Sequence, residues 1–254
     1  MNKKLILSFL LLTVFGLFLL HHPVHADPIP NISIDIGGEG EGGETSSISI
    51  LLLVTVLSVA PAFLVLMTSF TRIVIVLGFV RTSLGTQQMP PNQVLVGLAL
   101  FMTLFVMSPT LSEVNETALQ PYLRGEMNQT EALNQAADPM KEFMFKQTST
   151  KDLLLFMNYA GDSITEKPAT YSDIPLTVLV PAFAIGEMKK AFTMGFMIFI
   201  PFLIIDLVVS STLMAMGMMM LPPVMISLPF KIMLFVLVDG WYLVVQSLLS
   251  SFNT

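Results

Sequence analysis

The sequence predicts an all-α membrane protein built from two hydrophobic helical hairpins, four apolar segments in all, with a helical insert outside the cytoplasm. Three observations carry this. Apolar residues make up 54% of the 254-residue chain and charged residues 12%, where soluble domains run nearer about 45–50% and 25%. Several apolar runs approach the roughly 20 residues that a membrane-crossing helix needs. Between the second and third of them the chain turns water-facing, with Glu113, Glu116, Arg124, Glu126, Glu131, Asp138, Lys141, Glu142, Lys146, Lys151 and Asp152.

Residues 1–26 read as a secretory signal peptide. Lys3 and Lys4 form its basic start, Leu5 to Leu20 its apolar core, and Val24-His25-Ala26 a small-x-small cleavage site. A retained first span is the alternative, because the core nears the lower length limit for crossing. Residues 27–47, with IGGEGEGGET at 36–45, bury too little apolar surface to order themselves. They are expected to form a flexible extracytoplasmic tail.

Residues 48–109 hold the first hairpin. Ile48 to Val80 carries one charge, Arg72, and is too long for a single untilted span. Pro61 is expected to kink it. The part near Arg72 and Arg81 is expected to emerge as a cytoplasmic loop, in line with the positive-inside rule. Met89-Pro90-Pro91-Asn92 marks a turn, and Gln93 to Ser108 is the second apolar segment. Residues 110–173 form the insert, where Phe143, Phe145, Leu153, Leu154, Leu155, Phe156 and Tyr159 sustain amphipathic helices. Asn115-Glu116-Thr117 and Asn128-Gln129-Thr130 match the glycosylation sequon and read as chance matches.

Residues 174–254 hold the second hairpin. Ile174 to Ile185 is apolar, with Pro175 and Pro181, and Gly186 to Lys190 is a polar knot. Ala191 to Met216 is the third membrane segment, expected to be interrupted by Pro201 and Asp206. Val224 to Phe252 is the fourth, with Lys231 and Asp239 inside it and Trp241-Tyr242 as an interfacial anchor. The stretch between these two segments, MAMGMMMLPPVM at 214–225, holds six of the chain's nineteen methionines. Met is the ordinary filler of apolar cores, and it is also the soft, unbranched side chain of adaptable surfaces.

Much chemistry is excluded. The chain has no Cys, and its three His, His21, His22 and His25, lie in the signal segment. Thiolate and imidazole sites are thereby ruled out of the rest. A net charge of −6 with no basic block argues against nucleic acid. Asp206 (IIDLVV) and Asp239 (LVDGWY) lack the context of an intramembrane aspartyl protease. Charges within apolar segments, Glu187, Asp206, Lys231 and Asp239, need partners or water. Lys231 paired with Asp206 or Glu187, a proton or ion relay, and side chains reaching to the interface are the three open readings.

Two blocks carry a resemblance. MTSFTRIVIVLGFVRTSLGTQQMPPNQVLVGLALFMT (67–103) and the long run from Ile174 to Val244 closely resemble the flagellar biosynthetic protein FliP family, export-gate subunits of the type III secretion apparatus. The resemblance implies a homo-oligomer, a pentamer, that joins the flagellar Q and R subunits in a closed helical ring. The flagellar A and B export proteins would be further partners. The ring would pass unfolded flagellar subunits through the bacterial cytoplasmic (inner) membrane at the flagellar basal body, with the assembled gate raised toward the extracytoplasmic side. Met216, Met218, Met219 and Met220 would form a gasket at the constriction, with Met214 and Met225 in helix packing. Glu187, Asp206 and Lys231 would make subunit contacts, and Arg72 and Arg81 cytoplasmic-loop or interface contacts. No cofactor, metal or catalytic residue is implied. A related subunit serves virulence-type systems, and the signal peptide favours the flagellar branch. The rival from another class is a small-solute or ion transporter, which predicts an internal repeat. The echo of MPP (89–91) in LPP (221–223) is too short to be one.

Overall fold

The computed structural model describes residues 54–55, 58–59, 61–86, 88–161, 170–171, 174–218 and 221–252. The signal peptide and acidic tail expected at 1–47 lie outside these residues, as do Met219 and Met220. The chain divides into two compact units, 1–56 and 57–254. Of the first, only Val54 and Thr55 are described, and both are helical.

The second unit is helical throughout its described secondary structure. In chain order it contains α1 (Pro61–Met67), α2 (Phe70–Leu84) and α3 (Asn92–Val114). A π-turn (Asn115–Leu119) carries α3 into α4 (Gln120–Leu123). Then come α5 (Gln129–Gln147), α6 (Thr150–Tyr159), α7 (Leu176–Ala215), α8 (Pro223–Leu237) and α9 (Gly240–Ser250). Two of these paths, Asn92–Leu123 and Leu176–Ala215, are long and apolar enough to cross a membrane. The bent pairs α1–α2 (79°) and α8–α9 (63°) raise that number to as many as four.

Local chemistry sets the helix ends. α2 stops at Gly85, whose φ of 76° is left-handed and whose N–H bonds to the Thr82 carbonyl at 3.1 Å. Asn128 caps α5 by accepting the Glu131 N–H at 2.9 Å. Ser149 caps α6 by accepting the Asp152 N–H at 3.2 Å and donating its own hydroxyl to Asp152 Oδ2 at 2.6 Å. Pro223 takes the first position of α8, where its missing N–H costs nothing.

Two expectations are corrected. α7 runs unbroken for 40 residues through the polar knot and past Pro181 and Pro201, a length of about 60 Å. The knot continues the helix because Glu187 and Lys190, one turn apart, meet partners on other elements. A bend of 79° falls at Thr68–Ser69 between α1 and α2, and the kink expected at Pro61 falls next to residues 56–57 and 60, which lie outside the described residues. Arg72 does not lie in an emerging loop. It sits in the first turn of α2 and is fully buried.

α2 is the central element and packs most extensively on α7. Ile73, Val76, Leu77 and Val80 are fully buried against Ala191, Phe202, Phe235, Val244 and Leu248. A second cluster joins Met144 of α5, Leu153 and Met157 of α6, and Val178, Leu179, Ala182 and Phe183 at the start of α7. At Gly195 the α2–α7 approach is so close that a Cβ would overlap the Phe79 ring.

Candidate functional site

Three constellations gather the polar and sulfur chemistry. The first is the turn between α7 and α8. Gly217 adopts φ 73°, and its N–H bonds to the Met214 carbonyl at 3.0 Å. The Met218 N–H reaches back to the Leu213 carbonyl, also at 3.0 Å. This pair of bonds satisfies the last carbonyls of α7 and requires a left-handed residue at 217. The backbone is thereby fixed while the thioethers stay outside. Met216 is 64% exposed and Met218 43%. Met214, expected in helix packing, is 63% exposed, and Met225 is also on the surface.

The second constellation joins α7 and α8. Lys231 donates to Asp206 Oδ2 at 2.6 Å, and the Ser227 hydroxyl donates to Oδ1 of the same carboxylate at 2.6 Å. Ser227 and Lys231 stand one turn apart on α8, so one face presents both donors. Ser227 is fully buried and Lys231 nearly so. Lys231 Nζ also lies beside Gly85 at the C-terminal end of α2, where the helix dipole favours a cation.

The third is a buried network around Arg72. Its Nε donates to Glu187 Oε2 at 2.8 Å, and its Nη2 donates to Glu187 Oε1 and to Gln147 Oε1, the latter at 3.0 Å. Its Nη1 donates to the carbonyl and hydroxyl oxygens of Ser251, each at 2.8 Å. All five guanidinium hydrogens are thus used. The Phe252 ring covers one face, 3.8 Å from the guanidinium carbon. Lys190 Nζ donates to the Gln147 carbonyl at 2.6 Å and lies 3.6 Å from Glu187 Oε1. Four parts of the chain converge here: α2, the end of α5, α7 and the residues after α9.

Arg81 stands apart from these. It braces the α2–α3 turn by donating to Asn92 Oδ1 and to the Pro90 carbonyl. Lys231 and Glu187, weighed as one another's partner in the sequence, belong to separate networks. Ser227, Gln147, Lys190, Ser251 and Phe252 do not stand out in the sequence as partners of these charges. Only Ser227 carries a signal there, its one-turn spacing from Lys231. Among the described residues no group of Asp, Glu, His or Cys could hold a metal.

Comparison with known proteins adds a family. The model of the FliP family matches residues 53–248. The chain is 67% identical over 208 residues to a flagellar biosynthetic protein FliP of Bacillus subtilis (strain 168), covering 82% of this chain and 93% of that protein. It is 51% identical to a protein of the same name from Pectobacterium carotovorum subsp. carotovorum, covering 89% of this chain and 83% of the relative. With the FliP of Aquifex aeolicus (strain VF5) identity is 47%, covering 89% and 92% respectively.

Proposed function

Because the chain belongs to the FliP family, we propose that it is a pore-forming core subunit of the flagellar type III protein-export gate. Membership carries the reading, and the α7–α8 turn supports it. In this reading several copies, with the flagellar Q and R subunits, close a ring in the bacterial cytoplasmic membrane. The turns of those copies project Met216, Met218, Met219 and Met220 into the channel. A Met has three rotatable bonds and a polarizable sulfur, so a ring of them closes on itself against ions and re-packs around varied side chains. A β-branched ring would be stiffer at χ1. The rigid Gly217 backbone with exposed thioethers suits a gasket, because the anchor stays fixed while the tips move.

The role is structural. No catalytic residue is assigned, and the energy for export comes from other parts of the apparatus. Residues 1–26 act as the signal peptide, 27–47 as a tail, and 110–173 as the extracytoplasmic insert between the two hairpins.

The test is native mass spectrometry of the detergent-solubilised protein, alone and with the Q and R subunits, followed by conductance. The expected result is a discrete homo-oligomer that takes up both partners. Replacing Met218, Met219 and Met220 with Ala should leave assembly intact and make the complex leak small ions. A monomer indifferent to Q and R would overturn the gate, and a tight triple variant would overturn the gasket.

A further inference from the structure

A cavity of about 390 Å³ opens where α3, α5 and the end of α9 meet. Its lining changes character from one part to the other. Phe105 and Val106 of α3, with Leu249 and Phe252, form an apolar part. About two turns further along α3 stands Glu113, and α5 adds Glu142 and Lys146. Over these same residues α3 passes from its apolar stretch, Gln93 to Ser108, into the water-facing insert.

The polar part offers more acceptors than donors. Lys146 Nζ lies 2.5 Å from Glu142 Oε1 and is, among the described residues, the one cation in the lining. Its hydrogen bond to Glu142 holds that ammonium above its ordinary pKa, and the Glu113 charge adds to the shift. The two carboxylates thus share one cation. Pro109, also in the wall, has no N–H, so the Phe105 carbonyl loses its helical donor. The Lys146 end of the ion pair is exposed, and a pair of that kind is weak enough to exchange partners.

We propose that this cavity holds a phospholipid whose headgroup carries a primary ammonium. The ammonium lies between Glu113 and Glu142, the phosphate takes Lys146, and one acyl chain follows Phe105 and Leu249 onto the exposed apolar face at Phe101. Three properties select this occupant. The change from apolar to charged lining falls where a membrane-crossing α3 would meet the headgroup region. An anionic headgroup would face two carboxylates against one cation. A choline headgroup has no N–H to give to the acceptors. The site belongs to a single copy and is independent of the gate reading.

The test is native mass spectrometry of the full chain in detergent, titrated with dioleoyl phosphatidylethanolamine, phosphatidylglycerol or phosphatidylcholine. The ethanolamine lipid should bind at one per copy and at least fivefold more tightly than either of the others. Glu113→Gln should lower that affinity at least fivefold and leave the lipid-free melting midpoint unchanged, and Glu142→Gln should lower it in the same way. Glu113→Lys should turn the preference toward the glycerol lipid. No retained lipid, or equal affinity for all three, overturns the site. Ethanolamine-lipid binding that is undiminished in both Gln variants places the lipid elsewhere and overturns it as well. Lipid carried by the monomer and absent from the oligomer would put a second copy in the cavity, which also overturns it.

Discussion

At the scale of single residues, the buried charges behave as closed sets. Arg72 is held by Glu187, Gln147 and Ser251. Removing one member of such a set strands the others away from water, which costs about 3–5 kcal/mol for a buried ion pair. Arg72→Met is therefore expected to unfold earlier in detergent melts, and Arg72→Met with Glu187→Met to regain most of the loss. A double variant as unstable as the single one would contradict this. Ser227→Ala takes one of two donors from Asp206. The expected loss is about 1.5–3 kcal/mol, the range for a hydrogen bond to a charged group, read as a lower melting midpoint. Ser69 is the contrary case. Its hydroxyl is buried at the α1–α2 bend and makes no hydrogen bond, so Ser69→Ala should melt no earlier than wild type.

At the scale of elements, glycines mark where helices meet and stop. Gly195 lets α2 approach α7 until the Phe79 ring fills the space of a side chain. Gly195→Leu has to push the two helices apart, and their shared core of Ile73, Val76 and Leu77 opens with them. Overpacking of this kind costs typically about 1–3 kcal/mol, and rapid proteolysis within α2 or α7 would report it. Gly217 ends α7 in a left-handed turn. Gly217→Ala should cost about 1–2 kcal/mol, while Gly217→Asn should be milder, because Asn also serves at this position. Equal melting of the two variants would show that the turn does not need its left-handed backbone.

At the scale of the molecule, the chain is tied together at its end. Ser251 and Phe252 follow the last helix, yet they contact Arg72 near the start of α2. Gln147 also donates to the Phe252 carbonyl at 3.1 Å. Deleting Ser251 to Thr254 is expected to strip Arg72 of two bonds and its aromatic cover, and to loosen α9. Hydrogen exchange should then rise in α9 and in the first turn of α2 together. Exchange confined to α9 would mean that the end of the chain is a passive tail. The outer faces of α3, α7 and α8 keep Phe101, Phe105, Phe192, Phe196 and Val236 exposed. A single copy therefore carries far more apolar surface than water tolerates, as expected for a membrane-embedded subunit.

Composition and run length by themselves determined that the described secondary structure is helical and that two or more helices suit a membrane, because both follow from the cost of unpaired backbone in an apolar medium. The two long blocks determined the family, since 67–103 and 174–244 lie within the matched span. Helix continuity was not legible. Pro181, Pro201 and the Glu187–Lys190 knot look like breaks in one dimension, and only the partners across space keep α7 whole. The pairing of charges was legible in part. Asp206, Lys231 and Glu187 stood out as expensive residues, but nothing along the chain says that Glu187 meets Arg72, 115 positions away. Only the tertiary structure decided that, because a buried charge is answered by whatever the packing brings within about 3 Å, and it is the packing of α2 on α7, whose buried faces carry Arg72 and Glu187 among apolar residues, that brings the two together.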